Sequence, residues 1–75
     1  LWFEEPVPPD DFESLARVAA AVRVPVATGE RLTTVAEFAQ ALRAGAAILQ
    51  PALGRAGGLW QARKIAALAE AHNAQ

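Results

Sequence analysis

Val24-Pro25-Val26-Ala27-Thr28-Gly29-Glu30-Arg31 is the stretch on which the fold turns. A short apolar run of strand length, with a proline tolerable at the strand start, meets a glycine and then a carboxylate. That order reads as a buried strand with Glu30 at its C-terminal end. Downstream, Thr33 or Thr34 caps a helix in which Val35, Phe38, Ala39 and Leu42 share one face, and Gly45 supplies the stop. Glu37 stands three residues after Thr34, the spacing of a capping box. Upstream, Phe12, Leu15, Val18, Ala19 and Val22 recur at helical spacing, so a helix is predicted from Phe12 to Val22, opened by Asp10 or Asp11. Before it, Leu1 to Phe3 is an apolar run that stops at Glu4, followed by turn chemistry at Val7-Pro8-Pro9.

The same order recurs once more. Ala46 to Leu49 is a third strand ended by Gln50-Pro51, and Gly54 to Gly58 form a loop. A third helix is predicted from Leu59 to His72, with Leu59, Ala62, Ile65, Ala66, Leu68 and Ala69 turned inward. Trp2 and Trp60 are expected between helices and sheet, where each indole N–H needs a partner. Strands starting near positions 1, 24 and 46 give a repeat of about 22 to 23 residues, the length of strand, loop, helix and loop. Short apolar strands of this kind fit a parallel sheet covered by helices. Two architectures satisfy the pattern, a slice of a (β/α)8 barrel or half of an open doubly wound sheet. The loop after the first strand, Glu4-Glu5-Pro6-Val7-Pro8, has no glycine fingerprint for a dinucleotide, which favours the barrel. The predicted class is therefore α/β, three consecutive βα units of a partial (β/α)8 TIM barrel.

Composition narrows the function classes. The 75 residues are 53% hydrophobic and 20% charged, a composition for a folded core. The chain is shorter than an average domain, lacks cysteine and starts at Leu1, so it is expected to be a piece of something larger. Seven Lys and Arg against eight Asp and Glu leave a formal charge of -1 with no basic run, which argues against nucleic acid as a partner. No apolar run approaches the roughly 20 residues that span a bilayer, so no membrane partner is predicted.

In a parallel βα array every strand ends on the same side, and in barrels that side carries the active site. Glu4 and Glu30 both stand at that edge, on neighbouring strands roughly 4.8 Å apart. Two carboxylates so placed either hold a cation or are surface acids that simply end their strands. With no Cys or His at the strand ends, hard oxygen donors favour Mg²⁺ over zinc. His72 closes a helix and Lys64 lies mid-helix, so neither is a candidate base.

Around these acids the chain resembles a known family. Trp2-Phe3-Glu4-Glu5-Pro6, then Val24 to Arg31, then Ile48-Leu49-Gln50-Pro51, then Ala56-Gly57-Gly58 are similar, in order and spacing, to the C-terminal barrel of the enolase superfamily. The likeness is to the mandelate racemase and muconate lactonizing enzyme group, in its galactonate dehydratase-like branch. The interval from Glu4 to Glu30, 30 − 4 = 26, is similar to that between the family's second and third metal ligands. The resemblance implies that residues 1–75 are part of a C-terminal (β/α)8 barrel domain, with the N-terminal capping domain and the other barrel units outside them. It implies Mg²⁺ held by Glu4 and Glu30, with Glu5 as a neighbour, and Arg31 and Gln50 facing a small-molecule carboxylate substrate, a sugar acid. The implied chemistry is removal of the proton alpha to the carboxylate, with the enediolate stabilised on the metal, leading to dehydration or to racemisation or epimerisation. The base and one metal ligand lie outside the chain, so residues 1–75 alone are expected to be inactive. A cytoplasmic, homo-oligomeric parent enzyme is also expected.

Two departures qualify the likeness. The branch usually carries an Asp directly after the Gln-Pro of the third strand, where this chain has Ala52. The segment between Glu30 and Gln50 is about one residue shorter than usual in the family. A non-catalytic βα binding or scaffold module, or a degenerate family member, is the alternative these departures leave open.

Overall fold

Side-chain caps open the first two helices and left-handed turns close the last two, while the third starts at Gly58 without a side-chain cap. In the computed structural model, which describes residues 1–75, Asp11 accepts a hydrogen bond from the Ser14 N–H at 2.9 Å and opens α1, Phe12–Ala21. That bond, from a backbone donor, holds the Asp11 carboxyl below its ordinary value of 3.8. Helix α2, Val35–Ala44, opens on the predicted capping box: the Thr34 hydroxyl accepts from the Glu37 N–H at 3.1 Å, and Glu37 Oε1 accepts from the Thr34 N–H at 2.9 Å. Thr33 adds its own N–H and hydroxyl, both at 3.0 Å. The backbone N–H of Thr33, more than any other group, keeps the Glu37 carboxyl below its ordinary 4.5.

The stop of α2 is equally specific. Gly45 takes φ +108, its N–H donates to the Leu42 carbonyl, and the Ala46 N–H donates to the Ala41 carbonyl, both at 3.0 Å. This is a Schellman motif, and Ala46 packs into the core as the motif's apolar partner. Helix α3, Leu59–Ala71, ends the same way with Asn73 at φ +56: Asn73 N–H reaches Glu70 and Ala74 N–H reaches Ala69. Asparagine is among the few residues that adopt this conformation readily. His72 Nδ1 lies 3.0 Å from the Leu68 carbonyl, as befits a histidine at a helix end.

Strands β1, Phe3–Glu4, β2, Val26–Thr28, and β3, Ile48–Leu49, form one parallel sheet in the order β1-β2-β3. They are shorter than the apolar runs suggest. Pro25 has no N–H, so the pairing of β1 with β2 begins through its carbonyl, which accepts from the Phe3 N–H at 2.9 Å. Gly29 then ends β2 one residue before Glu30, which lies in the turn after the strand. On the outer edge of β3, Gln75 uses both backbone groups: its N–H donates to the Ala47 carbonyl at 2.9 Å and its carbonyl accepts from the Leu49 N–H at 2.6 Å. Gln75 thus lies beside Ile48 as a strand neighbour would.

The three helices lie side by side, α1 against α2 and α2 against α3. Between them and the sheet a core gathers Leu15 from α1, Phe38, Ala41 and Leu42 from α2, Ile65 and Ala69 from α3, and Val26 and Leu49 from the strands. Phe38 in the central helix is fully buried, a side chain that contributes about 1.5–3 kcal/mol by leaving water. The inward face of α3 departs from expectation. Ile65 and Ala69 are buried and Leu68 packs beside them, but Ala66 is exposed and Leu59 is 72% exposed. At about 100° per residue, Leu59 and Trp60 stand roughly 120° and 140° around the helix from Ile65, which turns both outward. Trp60 is 65% exposed with the Lys64 ammonium 5.7 Å from its ring centroid, and Trp2 is half exposed on the chain before β1. Neither tryptophan sits between helix and sheet.

Candidate metal site at the strand ends

Because the strands run parallel, β1 and β2 deliver their last residues to one edge. The register sets Glu4 beside Ala27 and Ala27 beside Ile48. Val26 and Leu49 face the helices, so by strand alternation Glu4, Ala27 and Ile48 share the opposite face, and Gln50, two residues beyond Ile48, joins them. Glu4 is the final residue of β1 and is exposed.

Glu30 is positioned by its neighbours. The Leu32 N–H donates to the Gly29 carbonyl at 3.1 Å, closing a turn with Glu30 and Arg31 at its centre. Both ends of that turn are buried, Leu32 within the core and Gly29 against Phe38 and Gln50. Gly29 has φ +131, and a Cβ there would lie 2.6 Å from Phe38 Cε1 and 3.0 Å from the Gln50 backbone nitrogen. Only glycine lets β2, α2 and β3 approach this closely while the next residue swings out to the strand-end edge.

The two ion pairs of the chain are Glu13 with Arg17 on α1 and Glu5 with Arg31 at this edge. Glu4 and Glu30 therefore have no cationic partner, and no hydrogen bond from the protein reaches either carboxylate. Arg31 donates from Nε to Glu5 Oε1 at 2.9 Å, joining the turn after β2 to the end of β1. Glu5 has φ +39, unusual for a residue with a side chain, while its N–H still donates to the Ala27 carbonyl at 2.8 Å. Such a backbone costs about 1–3 kcal/mol, and a bridge whose guanidinium is half exposed returns about 0–1 kcal/mol. The ladder bond from the Glu5 N–H to buried Ala27, more than the bridge, holds the kink.

Glu5 is the site residue the sequence reading passed over, beyond noting it as a neighbour of Glu4. The signal for it was present: Glu5 and Arg31 are separated by the same 26 positions as Glu4 and Glu30. Gln50 donates its N–H to the Thr28 carbonyl at 2.9 Å, which extends the ladder past β3, and its side-chain amide makes no bond that fixes the loop. Ala52 begins the next turn, its carbonyl accepting from Arg55 and Ala56, and offers no polar side chain.

Three carboxylates and one guanidinium, Glu4, Glu5, Glu30 and Arg31, give the edge a charge of 1 − 3 = −2. With Glu5 held by Arg31, the free donors are two carboxylates and neutral oxygens, a set suited to a hard divalent cation that keeps several waters. No three acidic, histidine or cysteine side chains gather closely enough here to enclose an ion by themselves.

Residues 1–75 match throughout the family described as Enolase C-terminal domain-like. The chain belongs to that family. Among relatives of this enolase-like domain, D-galactonate dehydratase from Ralstonia nicotianae is 49% identical over 74 residues, covering 97% of the chain and 19% of that protein. The chain thus spans about a fifth of the length of the curated relatives it matches. A mandelate racemase/muconate lactonizing enzyme-like protein from Roseovarius sp. TM1035 superposes with a TM-score of 0.96 at 71% identity, over all of the chain and 19% of that structure. L-Talarate dehydratase from Polaromonas sp. JS666, solved with Mg and L-glucarate, gives a TM-score of 0.91 at 40% identity, over 99% of the chain and 21% of that structure. The three parallel strands with their helices are thus the α/β architecture of a partial barrel, as predicted.

Proposed function

We propose that residues 1–75 supply three consecutive βα units, with two of the metal ligands, to the (β/α)8 barrel of a Mg²⁺-dependent sugar-acid dehydratase or a closely related racemase or epimerase. The observation that carries this reading is the pair Glu4, at the end of β1, and Glu30, in the turn that follows the neighbouring parallel strand β2, each without a protein partner. The likeness to a galactonate dehydratase, and to a talarate dehydratase solved with Mg and a sugar acid, supports the same chemistry.

In this reading Glu4 and Glu30 hold the cation, and Glu5 does not, because Arg31 occupies it. A divalent cation bound there supplies positive charge where negative charge develops as the proton alpha to a carboxylate leaves. Gln50, with a free amide on the face shared with Glu4, donates to or accepts from substrate hydroxyls. The terminal Nη groups of Arg31, which have no protein partner, are available to substrate carboxylate or hydroxyl oxygens. No residue here acts as the base, and Ala52 leaves a base on another strand without a carboxylate partner from this position.

Ala52 also favours a second reading, a family member that binds metal and acid without turning it over. One experiment separates the two. Mg²⁺ titration of the full-length wild type and Glu30→Gln is paired with proton NMR of acid sugars in D₂O. Metal binding lost in Glu30→Gln, with exchange of the alpha proton in the wild type, supports the enzyme. Unchanged Mg²⁺ affinity in Glu30→Gln refutes the ligand assignment, and metal binding without alpha exchange supports the second reading.

A further inference from the structure

We infer that the Arg31–Glu5 bridge is a positioning strap that sets the spacing of the two ligand-bearing strand ends and keeps Glu5 out of the metal site. The inference rests on the reading of Glu4 and Glu30 as ligands. The bridge joins the residue directly after Glu4 to the residue directly after Glu30, so it spans the same gap as the ligand pair, one position further along each segment. Its energetic yield is too small for a stability device, as exposed ion pairs contribute little to folding. Its position is another matter. Glu5 adjoins Glu4 on a backbone kinked to φ +39, with a side chain only 25% exposed. Without Arg31 it would be a third uncompensated carboxylate beside the two ligands. Arg31 lies in the turn pinned by buried Gly29 and Leu32, so the bridge ties the Glu5 side chain to a fixed body.

A guanidinium suits the task better than an ammonium. Its planar fork orients the carboxylate as well as neutralising it, and it remains charged at any working pH. Bonded to Glu5 through Nε, Arg31 holds one acid in place without neutralising Glu4 or Glu30. Groups that orient metal ligands from outside the coordination sphere commonly change metal affinity 10- to 100-fold when removed.

The test uses the full-length protein, with Mn²⁺ as a paramagnetic probe for Mg²⁺. Arg31→Ala, Arg31→Lys, Glu5→Gln and the exchanged pair Glu5→Arg with Arg31→Glu are titrated with Mn²⁺ by electron paramagnetic resonance, and melting temperatures are recorded alongside. Arg31→Ala and Glu5→Gln are expected to weaken Mn²⁺ binding about tenfold or more, with an altered spectrum of the bound ion and little change in melting temperature. The double variant Arg31→Ala with Glu5→Gln should lose no more than the worse single variant, as coupled partners do. The exchanged pair should recover most of the affinity, and Arg31→Lys should fall between wild type and Arg31→Ala. Glu30→Gln is the control for the underlying reading and should abolish binding. If Glu30→Gln abolishes binding while Arg31→Ala and Glu5→Gln keep affinity within twofold and an unchanged spectrum, the strap is overturned and the ligand assignment stands. If Glu30→Gln keeps wild-type affinity, both fall.

Discussion

Gly29→Ala adds a single methyl group at the point where a strand, a helix and a neighbouring strand meet, and the structure gives the cost in two parts. At φ +131 a residue with a Cβ carries about 1–3 kcal/mol of backbone strain. The new methyl would also lie 2.6 Å from Phe38 Cε1, on a ring with no exposed surface, and 3.0 Å from the Gln50 nitrogen, whose N–H is fixed in the ladder to Thr28. Neither neighbour is the free end of a flexible chain, so overpacking adds about 1–3 kcal/mol. The total, about 2–6 kcal/mol, is a large share of the roughly 5–15 kcal/mol that holds a typical protein folded. Gly54→Ala is the matched control, since nothing lies within 4 Å of its Cβ and its backbone is ordinary. Urea titrations followed by circular dichroism should move the Gly29→Ala midpoint down by about 1 M or more relative to Gly54→Ala. Midpoints within about 0.3 M of each other would refute the steric reasoning and, with it, the argument that Gly29 fixes the turn bearing Glu30.

Beside the metal-binding outcomes for Glu30, Arg31 and Glu5, two stability outcomes follow from the core and the caps. Phe38→Ala should destabilise by about 3–5 kcal/mol in chemical denaturation, whereas Leu53→Ala, on a half-exposed side chain, should stay within about 0.5 kcal/mol. The Glu37 carboxyl lies below its ordinary 4.5 in the folded chain, so on acidification the unfolded chain takes up this proton first. Stability from the capping box should therefore be complete above about pH 4.5 and fall as pH drops through the folded value. Glu37→Gln should be flatter than wild type over that range in urea midpoints, and parallel curves would count against the role of this carboxylate.

The alternation of strand and helix was legible because each boundary carries its own chemistry: Asp11, the Thr34–Glu37 box and Gly45 all act where their residue types imply. The strand-end placement of Glu4 was legible too, since an apolar run followed by acids and a proline has few other readings. What escaped were properties set by three-dimensional surroundings. The outward turn of Trp60 and Leu59 follows from which side of α3 meets the sheet, and both are large apolar residues that composition alone assigns to a core. The Glu5 kink and its bond to Arg31 depend on the pairing of β1 with β2, which sets residues 23 positions apart side by side, and on the turn after β2 that brings Arg31 back to Glu5. A strand-period reading sends Glu5 to the face opposite Glu4 and gives it no partner.

The stop of α2 at Gly45 has a consequence for errors in folding. Because the left-handed residue returns the chain to the sheet at Ala46 and Ala47, it also determines which side chains of β3 meet the helices. A stop slipped by one residue would exchange the two faces of the strand, bringing Gln50 into the apolar layer and turning Leu49 out beside Glu4. The wrongly threaded chain would misplace a buried leucine and an amide together, so a fault in packing would also be a fault in the site. One dihedral angle thus acts as a proofreading point, at which a misaligned third strand is disfavoured before any ligand is bound.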